Sequence, residues 1–202
     1  MARSTLASLI TTTRELINDA AGTAQVFSDD TLQRHLDAHR YDVIYETLLS
    51  VPRLTAGGTT VYYEFRSCYT DFETTDGGTA TLFIQDGLGN TIGTASWASM
   101  DYQSGILTTT TDYKGTALYL TGRSYDLYGA AADALDDWAQ KVSLQFDFSS
   151  DQQSFSRSQK QKMLKDAAEG YRRKARARSS RVTRWDLAVD TPTSDVPHWR
   201  VR

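Results

Sequence analysis

The sequence predicts an α+β protein with a four-helix bundle-like core, an inserted small antiparallel β-domain and an extended C-terminal arm. Apolar residues recur at helical spacing in 1–54 and 122–178, which we assign to the helical core. Residues 55–121 show short alternating runs between glycine-rich turns, which is typical of antiparallel strands. Residues 179–202 hold two of the three prolines and no periodicity, so we expect an extended arm there.

The composition is that of a soluble globular protein. The chain has 202 residues, of which 40% are hydrophobic and 23% charged, enough for one or two domains with a real core. The single cysteine, Cys68, excludes an internal disulfide and a cysteine metal cluster. No apolar run approaches the roughly 20 residues of a membrane span, and 6–10 is too short for a secretion signal. We therefore expect a soluble protein made in the cytoplasm, with no membrane partner.

Charge is distributed unevenly along the chain. Residues 151–202 contain 13 Lys and Arg against 6 Asp and Glu, whereas residues 1–150 contain 9 against 19. Opposite charges at the two ends favour head-to-tail contact between copies, or contact with a charged partner.

Two helices are predicted before the β-domain. The first begins at residues 4–5 and ends at Gly22. The second is capped by Ser28 and continues until Pro52 stops it. Its apolar residues spread around the helix from Tyr41 onward, so we expect several neighbours to pack there.

The β-domain is predicted from five short runs rich in β-branched and aromatic residues. The predicted strands are 61–65, 79–84, 92–97, 105–109 and 116–120. The last hairpin, 101–121, leads directly into the third helix.

The third helix, 122–142, is predicted to be the centre of the core. Ser124 stands where an N-cap belongs, and Asp126 places a negative charge at the positive end of the helix dipole. The small residues of 129–132 would let another backbone pack close. Its predicted apolar face consists of Leu127, Ala131, Ala134, Leu135, Trp138 and Val142.

A fourth helix is predicted from a cap at Ser154 or Ser156 to about Arg178. The arm that follows carries Trp185 and Trp199, and it is too short to form a core around them. One interpretation is that these tryptophans anchor on a partner, since Trp is favoured at binding hot spots. The other is that the arm folds back on its own subunit.

We found no converging catalytic group. Residues 122–126 lie between a strand and a helix, as a nucleophile elbow would, but Asp126 stands where that turn needs Gly. His35 and His39 have a spacing that can bind zinc, and Asp42 and Glu46 continue the same side of the predicted helix. The zinc-protease pattern requires Glu directly after the first His, so a polar stripe is favoured. We therefore expect that the protein is not an enzyme and that it binds neither a metal nor a cofactor.

The strongest electrostatic feature is the basic end of the fourth helix. It could bind phosphates, lie in solvent at the helix C-terminus, or pair with acidic surfaces of neighbouring subunits. We favour solvent or an interface over direct DNA binding, because no DNA-recognition motif accompanies it. The basic residues are Arg172, Arg173, Lys174, Arg176 and Arg178, followed by Arg181 and Arg184.

Several structural motifs occur in order along the chain. Asp-Tyr-Gln-Ser-Gly occupies 101–105, Gly-Arg-Ser-Tyr-Asp-Leu opens 122–132, Phe-Asp-Phe occupies 146–148, and Gln-Ser-Phe-Ser-Arg-Ser-Gln-Lys occupies 153–160. With the opening segment 27–40, they resemble the head–tail connector (adaptor) proteins of long-tailed bacteriophages. The match covers most of the chain.

This resemblance implies a structural virion protein at the head–tail junction. Copies would form a ring, commonly dodecameric in that family, beneath the portal protein. The ring would extend the channel for viral DNA without sequence-specific contact and carry a neck or tail-completion protein. We expect the portal and subunit interface to include Trp185 and Trp199 with the basic residues named above. The alternative is a nucleic-acid-binding module that uses the basic end of the fourth helix.

Overall fold

The structure is a computed structural model whose described residues form four α-helices and a six-stranded antiparallel sheet that curls into a half-barrel. A four-helix bundle-like core was therefore the wrong prediction. The structure describes residues 2–74, 81–143, 148–150, 153–155 and 157–176.

The helices form one layer around the third of them. Helix α3 contacts each of the other three helices, and the alanines of 130–132 are fully buried between them. The helices are α1 (Ala7–Ile17), α2 (Asp29–Ala38), α3 (Leu127–Ser143) and α4 (Arg157–Arg172).

The sheet has the strand order β3-β6-β1-β2-β5-β4, with every neighbouring pair antiparallel. A separate short hairpin, β7 (Phe148–Ser150) and β8 (Gln153–Phe155), precedes α4. The strands of the main sheet are β1 (Arg40–Leu54), β2 (Thr60–Arg66), β3 (Leu82–Asp86), β4 (Trp97–Asp101), β5 (Ile106–Thr109) and β6 (Leu118–Tyr125).

The largest difference from the prediction lies in 40–54, which form β1 rather than the second half of a helix. Helix α2 ends at Ala38, and β1 then pairs with β6 on one side and β2 on the other. Val43 and Leu48 are buried in the sheet core, while the residues that follow each of them face outward. Apolar residues on two faces of a strand looked like an apolar girdle around a helix.

The position of β1 also shows why the bundle prediction failed. The strands on either side of 55–121, β1 and β6, pair with each other inside the main sheet. The β-region is therefore continuous with its flanks. The helices pack in one apolar cluster and the sheet in a second.

Local capping was predicted correctly at one helix and incorrectly at another. Ser28 caps α2 by accepting a hydrogen bond from the backbone N–H of Thr31 at 3.2 Å. Ser124 instead belongs to β6, and the Asp126 carboxylate accepts from the backbone N–H of Gly129 at 3.1 Å. Asp126 is thus the residue that caps the first turn of α3.

The predicted strands at 61–65, 105–109 and 116–120 correspond to β2, β5 and β6. Strand β3 begins at Leu82, and residues 79–80 lie outside the described part. The predicted strand at 92–97 was wrong, because Thr94–Ser96 form a 3-10 turn.

Candidate interaction surface

Ser124 is fully buried, whereas the serine of a nucleophile elbow is exposed. Its hydroxyl donates to the backbone carbonyl of Thr70 at 2.6 Å and accepts from the guanidinium of Arg176 at 2.8 Å. Both contacts join separate segments of the chain. The Ser124 hydroxyl therefore links β6 to Thr70 and to Arg176.

The candidate metal ligands do not converge. His35 and His39 point at helix α3, where they lie 3.3 Å from Asp137 and 2.7 Å from Asp133, respectively. Asp42 and Glu46 lie on β1 and therefore do not continue a helical face. Within the described part of the chain, no group of three or more side chains is placed to hold a metal ion.

A buried carboxylate, Glu73, joins the N-terminal segment to the end of β6. It accepts from Thr5 Oγ1 at 2.5 Å and from the Tyr125 hydroxyl at 2.8 Å, and Arg3 and Arg123 lie 3.5 and 3.4 Å away.

These contacts determine the protonation states of the Glu73 carboxyl and the Tyr125 hydroxyl. Burial on its own would raise the pKa of the Glu73 carboxyl, but the hydrogen bonds from Thr5 and Tyr125 and the two guanidiniums together lower it. Burial, and then the contact with Glu73, raise the pKa of the Tyr125 hydroxyl. The network therefore holds an ionised Glu73 and a neutral Tyr125, an arrangement that stabilises the fold.

Three described members of the basic run have partners within the chain. Arg172 forms ion pairs with Asp136 and Asp133 of α3, and Arg173 pairs with Glu169 one turn earlier. Lys174 lies 5.8 Å from the ring centroids of Tyr128 and Tyr171. Arg172 and Lys174 therefore connect the end of α4 to α3, whereas the ion pair of Arg173 is local.

Among the described residues of the run, Arg176 makes the most hydrogen bonds. Its guanidinium donates to Thr70 Oγ1 at 2.9 Å as well as to Ser124, and it lies 5.6 Å from the ring centroid of Tyr41 and 5.3 Å from that of Tyr69. It connects the end of the fourth-helix segment to the sheet.

The rest of the predicted interface lies outside the described residues. That part comprises Arg178, Arg181, Arg184, Trp185 and Trp199, and their role stays a prediction. Of the described members, Arg172, Arg173, Lys174 and Arg176 each have a partner within the chain, and their part in an interface also stays a prediction.

The described part of the chain also has two exposed apolar surfaces. The first, which we call the outer sheet face, lies on β1 and β3 and carries Ile44, Tyr45, Leu49 and Phe83, with exposures of 70, 59, 60 and 42%. Ile44 and Phe83 together line a cavity of about 210 Å³. Contiguous exposed apolar side chains are typical of interaction sites.

The second surface, which we call the helix groove, lies between α1, α3 and α4. It is a cavity of about 320 Å³. Met163 on its rim is 72% exposed, and Lys160 Nζ lies 5.2 Å from the ring centroid of Trp138. Its apolar lining includes Leu16, Leu135, Trp138, Met163, Leu164 and Tyr171.

Sequence reasoning missed the outer sheet face because it placed 40–54 on a helix. The sequence signal was weak, because the bulge between Val43 and Glu46 breaks the regular alternation of inward and outward residues along β1. Strict two-residue alternation is the pattern that indicates a half-buried strand.

None of the described helices combines the length and apolar character needed to cross a membrane. No family model matches the chain, and comparisons with curated proteins and with solved structures gave no match either.

Proposed function

We propose that this chain is a head–tail connector of a long-tailed bacteriophage. Copies form a ring, dodecameric as the resemblance implies, beneath the portal protein. The ring extends the DNA channel and joins the capsid to a neck or tail-completion protein, which places the chain in the virion. It acts through its surfaces and not through catalysis.

The observation that carries the proposal is the outer sheet face. Ile44 and Phe83 make no contribution to either buried core, yet they line the same surface cavity. A structural protein that works by contact between copies and partners requires such a surface. The sequence motifs indicate which class of partner the chain binds, and the exposed apolar surface provides a place for the contact.

The motif residues support the same proposal, since they hold the subunit together. An added Cβ at Gly105 would lie 2.3 Å from the backbone oxygen of Tyr69, so the Asp101–Gly105 turn closes on that segment. Gly129 and Tyr125 pack at the junction of sheet and helices. Residues of this kind preserve a subunit's shape, which an assembly protein depends on.

The alternative, a nucleic-acid-binding module, is less well supported. Arg172, Arg173 and Arg176 bind groups of their own chain, so fewer cations remain to displace counterions from DNA. Arg178, Arg181 and Arg184 are the cations on which that alternative would rest.

Reconstitution with the portal protein of the same phage tests the proposal. We expect the full chain to bind the isolated portal ring, and a chain without residues 179–202 to lose that binding while keeping its fold by circular dichroism. Binding to free duplex should be weak. Tight duplex binding that falls steeply with salt, together with no binding to the portal, would instead support the alternative.

A further inference from the structure

The helix groove leaves apolar side chains exposed along the fourth helix. Its lining on α4 runs from Tyr171 back to Lys160, a span of about 16 Å. Met163 lies between them and is 72% exposed, and Trp138 on α3 is only partly buried. Exposed apolar side chains that line one groove are typical of an interaction site, so the groove requires an apolar occupant.

The described chain ends near this groove. Its last residue, Arg176, follows Tyr171 by five positions, and its backbone N–H donates to the Asp126 carboxylate at 2.8 Å. The C-terminal arm therefore begins at a fixed point near the Tyr171 end of the groove. Trp185 follows nine residues later, and an extended chain of that length spans about 30 Å, which is enough to reach any part of the groove.

The arm contains one segment whose composition fits the groove. Residues 185–189, Trp-Asp-Leu-Ala-Val, are its most apolar stretch. Trp138 and Tyr171 provide aromatic rings in the groove against which another ring can pack. An indole buries a large apolar area, so Trp185 is the residue of the segment that gains most from such a site.

The charges favour the same segment. Among the described residues that line the groove, Lys160 is the only charged one, and none of the described carboxylates lies within ion-pair distance of it. Asp186 and Asp190 lie within and directly after the apolar stretch, which Arg184 precedes, whereas no acid lies within three positions of Trp199. Charge complementarity therefore favours the stretch that begins at Trp185 over the one around Trp199.

We propose that residues 185–189 occupy the helix groove of their own subunit, with the indole of Trp185 beside Trp138. A tether of about eight residues gives an effective concentration on the order of millimolar, so a second copy competes poorly for the groove. The contact itself does not depend on the proposed function. For a connector, a consequence that rests on the proposed function, the arm has to leave the groove before Trp185 can bind the portal.

Alkylation of a cysteine placed in the groove tests the contact. Cys68 is exposed, so each variant carries Cys68→Ser, and Met163→Cys then supplies the only thiol. We expect this thiol to react severalfold faster after removal of residues 179–202, and equally after Trp185→Ala in the full chain. Trp199→Ala should leave the rate unchanged. Equal rates with and without the arm would overturn the contact, and an equal effect of the two tryptophan substitutions would overturn its assignment to this segment.

Leu54→Cys is the matched control position. Leu54 is 74% exposed, against 72% for Met163, and lies on β1 outside the groove. A thiol at this position should react at the same rate with and without the arm. A similar rise at both positions would mean that removal of the arm loosens the whole fold, and it would overturn the inference.

Dilution distinguishes the subunit's own arm from the arm of a second copy. Protection by a tethered segment does not depend on protein concentration, so the rate at Met163→Cys should be the same at high and at low concentration. Protection that disappears on dilution would overturn the contact within the subunit and would indicate an arm exchanged between copies.

The outcome separates this inference from the proposed function. Arm-dependent protection in a chain that purified phage particles lack would leave the contact standing and overturn the connector. A thiol that reacts equally with and without the arm, in a chain that the particles contain, would overturn the contact alone.

Discussion

The guanidinium of Arg176 donates to the hydroxyl of Ser124 at 2.8 Å, across 52 residues of sequence. The sequence presented the first as a cation for a partner and the second as a helix cap. Their contact instead joins the end of the fourth-helix segment to β6. The same site includes the carbonyl of Thr70 and the rings of Tyr41 and Tyr69.

Replacing Arg176→Ala should lower the free energy of unfolding by about 2 kcal/mol, because charge-assisted hydrogen bonds to partly buried groups are lost. Denaturant unfolding measures this loss. Arg173→Ala is the matched control, since its side chain is 76% exposed and its ion-pair partner among the described residues, Glu169, lies four positions earlier. The control should change stability by about 0.5 kcal/mol or less. Equal losses from both would contradict the structural role of Arg176.

Two helical glycines should respond to alanine in opposite directions. At Gly129 an added Cβ would lie 2.3 Å from Nδ1 of His39, whose ring is held by Asp133, so Gly129→Ala should destabilise by about 1–3 kcal/mol.

At Gly170 nothing lies within 4 Å of an added Cβ. Gly170→Ala should therefore stabilise by about 0.5–1 kcal/mol, as expected for an exposed helix position. Thermal unfolding of the two variants compares them directly. Stabilisation by Gly129→Ala would show that α3 does not pack against His39 as described.

The Asp101–Gly105 turn gives a second glycine comparison. Gly105 and Gly58 both have positive φ, of +68° and +78°, but only Gly105 lies against another segment, 2.3 Å from the oxygen of Tyr69. Gly58→Ala should cost about 1–2 kcal/mol for its backbone conformation. Gly105→Ala should cost at least about 1 kcal/mol more, because the clash adds to that cost. Equal costs in denaturant titrations would argue against the close approach.

The Glu73 network predicts a specific acid dependence of stability. A carboxyl whose pKa is lowered by folding stabilises the protein above its ordinary pKa of 4.5, and this contribution is lost as the pH falls through the lowered value. Glu73→Gln should therefore be less stable at neutral pH, and its unfolding free energy should decline less between about pH 5 and pH 3.

Urea titrations at several pH values measure that slope, with Glu15→Gln, an exposed position on α1, as the control. The control should follow the parent chain. A parallel decline in the Glu73 variant and the parent would mean that Glu73 gains nothing from its contacts with Thr5 and Tyr125.

Local features of the fold could be predicted, and long-range ones could not. Ser28 caps α2 through a contact three residues away, so the sequence alone contains that information. Ser124 has the same residue type and stands before a helix, but Thr70 and Arg176 bind its hydroxyl. Strand β1 was missed for the same reason, because the residues of β6 that pair with it lie about 80 residues later in the sequence.

The contacts of the candidate site also divide into local ones, which could be predicted, and long-range ones, which could not. The ion pair of Arg173 with Glu169 spans one helical turn and could be anticipated from spacing. The ion pair of Arg172 with Asp136 requires α4 to pack against α3, which no local pattern specifies. The outer sheet face could not be recognised until 40–54 were placed in the sheet.

An electron-microscopic reconstruction of the head–tail junction of the phage that encodes this chain tests the central claim most directly. We expect a ring of subunits directly beneath the portal, each with a curled six-stranded sheet and four helices, surrounding the DNA channel. A complete junction whose density is fully accounted for by other proteins would contradict the account.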